Sequence, residues 1–160
     1  MEIKGYYPGM VGQVVELHAR YYAAEWGLDV SFETQVGREL SDFVAGLDQD
    51  KDGLWAATEG GALTGFIAID GRRDDEPGAR LRWFIVEPGI QGKGLGRRLL
   101  DLAVDFCREA GHPYVFLWTY QGLEAARQLY LRAGFRLTQE HRAAQWGGVI
   151  EEQRYDLEIS

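Results

Sequence analysis

The chain has 160 residues, 46% of them hydrophobic, and its 25 acidic and 17 basic residues give a formal net charge of −8 at pH 7. This length and apolar content suffice for one domain with a proper core, and the composition excludes a disordered chain. The acidic balance disfavours a nucleic-acid partner, whose phosphates it would repel, and no apolar run reaches the roughly 18 residues of a transmembrane helix.

The first third of the chain predicts one short strand and two helices. The strand ends at Pro8 and Gly9. Apolar residues and one histidine then recur at helical spacing, and Gly27 is placed to end this helix. Ser31 is expected to cap the second helix. The expected buried faces are Val11, Val14, Leu17, His18 and Tyr21 on the first helix, and Phe32, Val36, Leu40, Phe43 and Leu47 on the second.

Three strands are predicted next. Residues 54–58 and 63–70 form a hairpin around a Glu-Gly-Gly turn. Residues 81–86 form a third, apolar strand, which leads directly into a glycine-rich turn.

This turn has the composition of an anion site. Gly92, Gly94 and Gly96 let the backbone turn sharply, so that successive N–H groups converge on one oxyanion. The helix that follows directs the positive end of its dipole at the same point. Its apolar face is expected to consist of Leu95, Leu99, Leu102, Ala103, Phe106 and Ala110.

Two common phosphate motifs do not match the turn. A Walker loop needs a hydroxyl residue after Gly-Lys, but Lys93 is followed by Gly94, and a dinucleotide fingerprint needs glycine at the position of Arg97. The pattern that remains is Q-x-x-G-x-G, which starts at Gln91. A glycine-rich turn without a ligand remains an alternative.

The last third of the chain predicts a strand at 114–119, a short helix that ends at the glycine cap Gly134, and a final strand pair at 135–143 and 149–159. The element order is therefore β-α-α-β-β-β-α-β-α-β-β.

Two motifs carry a resemblance to a known family. Q-x-x-G-x-G resembles the acyl-CoA pyrophosphate loop of the GNAT superfamily of N-acetyltransferases, and Ala126, Leu129, Tyr130, Gly134 and Phe135 resemble its signature A-x-x-L-Y-x-x-x-G-F. The resemblance implies one α/β (α+β) domain over residues 1–160 with the GNAT acyltransferase fold, a mixed central sheet of six to seven strands flanked by about four helices.

The resemblance also implies a site. Tyr130 is then the general acid that protonates the departing thiolate, although helical spacing also allows a core role. The Val86 N–H is the family's usual donor to the thioester oxygen. Leu123 stands where the family often has an asparagine that contacts the cofactor. The acetyl-CoA-binding residues implied are Ile85, Val86, Gln91, Gly92, Lys93, Gly94, Leu95, Gly96 and Arg97.

The general base is harder to assign. Glu25, Glu87 and His18 are candidates, and Glu25 is favoured because the first two helices line the acceptor site in relatives. Aromatic residues could wall the acceptor pocket or belong to the core: Trp26, Phe32, Trp83 and Trp118.

The predicted activity is transfer of the acetyl group of acetyl-CoA to a primary amine of a small molecule or peptide, by direct attack in a ternary complex and without a metal. The alternative is a non-catalytic acyl-CoA-binding regulatory module. No nucleic-acid or membrane partner is expected, and a homodimer is left open.

A closer likeness and the cellular context complete the prediction. The segments YYAAEWG, LRWFIVE, LWT and QWG look like acetyltransferase domains fused behind MarR-type regulators, here without the DNA-binding part. Cys107, the single cysteine, is expected to be a buried structural thiol. A lone cysteine excludes an internal disulfide, and with no signal-peptide core at the N-terminus it predicts a cytoplasmic location.

Overall fold

A computed structural model describes residues 1–72 and 74–159. In these ranges the chain forms strands, α-helices and one short 3₁₀ turn, Pro88–Ile90. The elements in chain order are β1 (Glu2–Lys4), α1 (Met10–Trp26), α2 (Val30–Ala45), β2 (Gly53–Glu59), β3 (Ala62–Asp70), β4 (Ala79–Val86), α3 (Leu95–Ala110), β5 (Tyr114–Tyr120), α4 (Glu124–Ala133), β6 (Arg136–Gln145) and β7 (Gly148–Glu158).

The strands form one seven-stranded sheet in the order β1-β2-β3-β4-β5-β7-β6. The β4–β5 pair is parallel and the other neighbours are antiparallel. Helices α1 and α2 cover one face, and α3 and α4 cover the other. The predicted fold class and element order are confirmed. None of the helices in the described ranges combines the length and hydropathy needed to cross a bilayer.

The core lies on both faces of the sheet, which explains why β3 is buried almost continuously from Leu63 to Ile69. Gly65 on β3 allows α3 to approach closely, since a Cβ there would lie 3.1 Å from Leu95 and Leu99 methyl carbons. Cys107 is fully buried on α3, as predicted, and burial raises the pKa of its thiol to about 12.

The sheet is split at its parallel pair. Strands β4 and β5 pair at Ala79 and Arg80, and beyond Arg80 they diverge. A β-bulge on β4 accounts for the divergence: Trp83 and Phe84 together lie opposite the single residue Ile67, and Trp83 has a φ of 53°. Bulges bend and twist the strand that carries them, so β4 turns away from β5 and leaves a gap in the middle of the sheet.

The start of α2 differs from the sequence prediction. The N-cap is Asp29, whose carboxylate accepts the backbone N–H of Ser31 at 3.0 Å, and the Ser31 hydroxyl donates to the same carboxylate. The predicted cap at Ser31 was therefore wrong by two residues. A carboxylate accepts the free N–H groups at a helix start at least as well as a serine hydroxyl. The predicted end of α1 at Gly27 is confirmed, with a left-handed φ of 66°.

This assignment predicts the order of two alanine substitutions. We expect Asp29→Ala to lower the free energy of unfolding by about 1 kcal/mol, because it leaves the first N–H groups of α2 without an acceptor. Ser31→Ala should cost only a few tenths of a kcal/mol, roughly the effect of an ordinary surface change. Urea unfolding of both variants measures the difference, and a larger loss for Ser31→Ala would contradict Asp29 as the cap.

Candidate functional site

The gap between β4 and β5 opens into a cavity of about 790 Å³. One mouth lies at the glycine-rich turn, and the other is formed by α1, α2 and the β6–β7 turn. The cavity therefore passes through the sheet and joins its two faces.

The backbone of the turn leaves N–H groups at this mouth that an anion could accept. Gly92 and Gly94 have φ values of 87° and 86°, so glycine is required there by backbone conformation, and a Cβ at either would meet nothing within 4 Å. Gly94 is the N-cap of α3 and makes no side-chain cap bond, so it leaves the first N–H groups of the helix without a side-chain acceptor. Gly96 serves a different purpose, because a Cβ there would lie 2.9 Å from Leu129 Cδ1 on α4.

The turn is fastened to the end of β4. The Gln91 side chain donates from Nε2 to the Val86 carbonyl oxygen at 3.1 Å. Glu87 N donates to Thr64 O at 2.8 Å, and Gly65 lies opposite Val86. In an antiparallel pair, the backbone groups of successive residues point alternately toward and away from the partner strand. The Val86 N–H and carbonyl therefore point away from β3. The Val86 N–H consequently faces the gap, where it can donate to a ligand oxygen.

Most of the predicted cofactor-binding residues lie together on this part of the cavity. Lys93 is exposed and Leu95 is buried beneath the turn, so neither side chain reaches the cavity wall. Those on the wall are Ile85, Val86, Gln91, Gly92, Gly94, Gly96 and Arg97.

Tyr130 lies on α4 with its ring in the core and lines the cavity. The ring packs against Phe84, Phe135 and Tyr155, with centroid distances of 6.1, 5.8 and 5.9 Å. No hydrogen-bond partner for its hydroxyl is found among the described residues, and burial raises the pKa of Tyr130. The ring of Tyr130 thus belongs to the core, which was the alternative to a role as general acid. Its hydroxyl stays protonated and is available as a donor.

His18 is the one candidate base that the structure places on the cavity wall. Its Nδ1 lies 2.9 Å from the Val14 carbonyl oxygen, which assigns the proton to Nδ1 and leaves the Nε2 lone pair free. Burial lowers the pKa of His18 to about 4, and the Val14 bond opposes this only partly. Glu25 is exposed in the last turn of α1, and neither it nor Glu87 lines the cavity.

The far mouth is aromatic. Of the residues that the sequence offered for either an acceptor pocket or the core, Phe32, Trp83 and Trp118 line the cavity and Trp26 does not. Sequence reasoning missed further lining residues: Tyr22, Tyr120 and Trp146. Tyr22 could have been found, since it follows His18 by one helical turn on the buried face of α1.

An ion pair borders this mouth and was also missed. The Arg82 guanidinium donates to the Glu39 carboxylate and stacks over the Trp83 ring, 4.2 Å from its centroid. Partial burial acts to raise the pKa of Glu39, but the bond and charge of Arg82, the bond from Gln35 and the charge of Arg80 together hold the pKa below its usual range. The described residues bring together no group of three or more His, Cys, Asp or Glu that could hold a metal ion.

The sheet is thus split, with a helix start that lacks a side-chain cap at one mouth of the cavity and aromatic side chains at the other. The model of the acetyltransferase (GNAT) family matches residues 12–135. The chain therefore belongs to this family, whose members are acyltransferases that use acetyl-CoA.

Similar proteins agree with this membership. Mycothiol acetyltransferase of Nocardiopsis dassonvillei is 35% identical over 115 residues, 68% of this chain and 33% of that protein. Streptothricin acetyltransferase of Streptomyces lavendulae is 32% identical over 104 residues, 65% of this chain and 54% of that protein. The chain thus matches about half, or less, of the length of these curated relatives.

Solved structures share the fold. A GNAT-family acetyltransferase from Staphylococcus aureus Mu50 superposes with a TM-score of 0.79 at 17% identity over 99% of both chains. YncA of Salmonella typhimurium, solved with its cofactor acetyl-CoA, superposes with a TM-score of 0.75 at 18% identity, covering 100% of this chain and 94% of that one.

The buried neutral His18 predicts a specific acid sensitivity. Its pKa is about 4 in the folded protein against an ordinary 6.5, so between these values the unfolded chain binds more protons and stability falls as the pH falls. From pH 7 to pH 5 this amounts to about 2 kcal/mol. We expect the loss of unfolding free energy over this interval to be smaller by that amount in His18→Gln, measured by urea unfolding.

The control is Val15→Ala, a change on the same helix that removes no titratable group. This variant should keep the wild-type dependence on pH. An unchanged pH dependence in His18→Gln would show that His18 is not held neutral by burial.

Proposed function

We propose that this protein transfers the acetyl group of acetyl-CoA to a primary amine of a small molecule or peptide, by direct attack in a ternary complex. The observation that carries the proposal is the single cavity through the sheet, which joins the anion-binding turn to the aromatic mouth. A thioester entering from one mouth and an amine entering from the other would meet beside the Val86 N–H.

The residues at the turn fit the donor. The N–H groups at the start of α3 suit the pyrophosphate, and Arg97 adds a positive charge in the first helical turn. The diverging edges of β4 and β5 present backbone groups to which an extended pantetheine arm can add like a strand. When bound, acetyl-CoA supplies an acetyl group activated as a thioester.

Two groups of this chain act on the thioester. The amine nitrogen bonds to the carbonyl carbon as the carbon–sulfur bond breaks, and the Val86 N–H stabilises the negative charge that develops on the carbonyl oxygen. The Tyr130 hydroxyl gives its proton to the departing thiolate. Burial raises the pKa of Tyr130, which keeps the hydroxyl protonated before the reaction, and the phenolate left afterwards regains a proton from solvent in the cavity.

We assign the contact with the incoming amine to His18 and not to Glu25, which lies away from the cavity. The Nε2 lone pair of His18 accepts a hydrogen bond from an N–H group of the amine. This bond orients the lone pair of the amine nitrogen toward the thioester. A group with a pKa of about 4 does not store the proton, so the proton passes on to solvent at the cavity mouth.

The names of similar proteins cover both acceptor classes. Two curated relatives are named for mycothiol and streptothricin, and two solved structures of the same fold are named for an alanine of a ribosomal protein. The likeness to domains fused behind MarR-type regulators, the cytoplasmic location and a homodimer stay predictions.

The proposal predicts a selective defect for Tyr130→Phe. Turnover with acetyl-CoA and an accepted amine should fall by about 10²–10³-fold, because the thiolate must leave without a proton donor. The dissociation constant for CoA, measured by calorimetry, should stay nearly unchanged.

The control is Tyr155→Phe, which changes a phenol whose ring centroid lies 5.9 Å from that of Tyr130 but does not line this cavity. Its turnover should remain within a few fold of wild type. Equal turnover in Tyr130→Phe and wild type would remove Tyr130 from the mechanism. CoA binding with no transfer across an amine panel would instead favour the regulatory module.

A further inference from the structure

Four aromatic rings form a closed circuit at the far mouth of the cavity. Tyr22 contacts Phe32 with ring centroids 5.0 Å apart, and Phe32 contacts Trp146 at 5.2 Å. Trp146 contacts Tyr120 at 6.0 Å, and Tyr120 contacts Tyr22 at 5.8 Å. All four line the cavity. We call this quartet the aromatic frame.

The frame is part of the cavity wall. Its contacts run around the quartet, and three of the four neighbouring pairs meet edge to face. Because all four rings line the cavity, a group on the cavity side of the frame lies beside several aromatic rings at once. Such surroundings favour a cationic nitrogen.

The backbone at Trp146 is strained in a way that serves the frame. Trp146 and Gly147 are the two central residues of the β6–β7 turn, with φ values of 51° and 88°. Positive φ at both positions is the signature of a type I′ turn, where asparagine followed by glycine is preferred. A tryptophan at the first position is unfavourable for the turn itself, which indicates a use for its ring elsewhere.

Polar bonds fix this ring over α2. The indole Nε1 donates to Gln35 Oε1 at 2.8 Å, and the Trp146 carbonyl accepts the Asp29 N–H at 3.0 Å. Gln35 in turn bonds to Glu39, which Arg82 holds from the other side. The ring is thus held in one orientation before any ligand binds.

The charges beside the frame balance, and the chain as a whole is acidic. Burial raises the pKa of Tyr120, the Glu152 and Glu39 carboxylates add to this rise, and Arg80 opposes them. Arg82 is paired with Glu39. The chain as a whole carries a formal charge of −8, which attracts cationic ligands to the mouth.

We propose that the aromatic frame receives a cationic head group of the acceptor, so that the preferred substrate is an amine carrying a second, positively charged nitrogen. The inference rests on the proposed function. The reacting amine lies inward, at His18 and the Val86 N–H, and the charged nitrogen lies among the rings of Tyr22, Phe32, Tyr120 and Trp146.

An isosteric pair of amines tests this on the wild-type protein. (2-Aminoethyl)trimethylammonium and 3,3-dimethylbutylamine share a primary amine and a shape, and differ by the charge of the head group. Because this charge also makes the primary amine less basic, the affinities are compared for the neutral form of each primary amine. We expect calorimetry on the CoA-loaded protein to show roughly tenfold tighter binding of the cationic amine. Equal binding, or tighter binding of the neutral amine, would overturn the proposal.

Substitutions at Trp146 locate the effect. Trp146→Asn places the residue that the turn prefers and removes the ring, so the variant should fold while the tenfold preference falls to about twofold or less. Trp146→Phe should keep most of the preference. Trp55→Leu, which removes a ring packed on Phe106 on the opposite face of the sheet, is the control and should leave the preference unchanged. A full preference in folded Trp146→Asn would contradict the frame.

Transfer assays with the same two amines separate this inference from the proposed function. Transfer to both amines without a binding preference would support the proposed acetyltransferase activity and contradict a cation site at the aromatic frame. Selective binding of the cationic amine without transfer to any amine would support the frame and overturn the proposed activity.

Discussion

The bulge on β4 is the feature on which the rest of the site depends. The extra residue opposite Ile67 bends β4 away from β5, and the two strands pair only at Ala79 and Arg80 of β4. The bulge also places Arg82 and Trp83, consecutive residues, on the same face toward α1 and α2. One local irregularity thus opens the cavity and supplies part of its wall, while the backbone groups it leaves unpaired need a ligand or water.

The same strand positions both mouths. Beyond the bulge β4 ends at Val86, and the Gln91 side chain ties the turn back to the Val86 carbonyl. The start of α3 is thereby held at a fixed distance from the Val86 N–H. Gly96 permits this arrangement because its missing side chain lets Leu129 of α4 pack directly against the first turn of α3. Tyr130, the next residue on α4, is carried to the gap by the same contact.

The sequence predicted what depends on local pattern and missed what depends on distant contacts. Glycine spacing and helical periodicity were enough for the element order and for the turn at Gly92 and Gly94. The aromatic frame joins α1, α2, β5 and the β6–β7 turn, so no local window contains it. Glu25 shows the limit of periodicity: its spacing from His18 places it on nearly the same side of α1, but it lies in the last turn, beyond the part that covers the cavity.

The burial of His18 explains how an amine could react in this cavity without a strong base beside it. The desolvation that lowers the pKa of His18 to about 4 acts with the same sign on any ammonium group moved to that position. A primary amine that reaches the thioester would thus be deprotonated more readily than in water, and a neutral acceptor such as His18 Nε2 would suffice to orient it. A second nitrogen left among the aromatic rings would keep its charge, because π faces replace part of the water it loses. The cavity would then give the two nitrogens of one substrate different surroundings. The reacting nitrogen would be neutral beside His18, and the second nitrogen would stay charged among the aromatic rings.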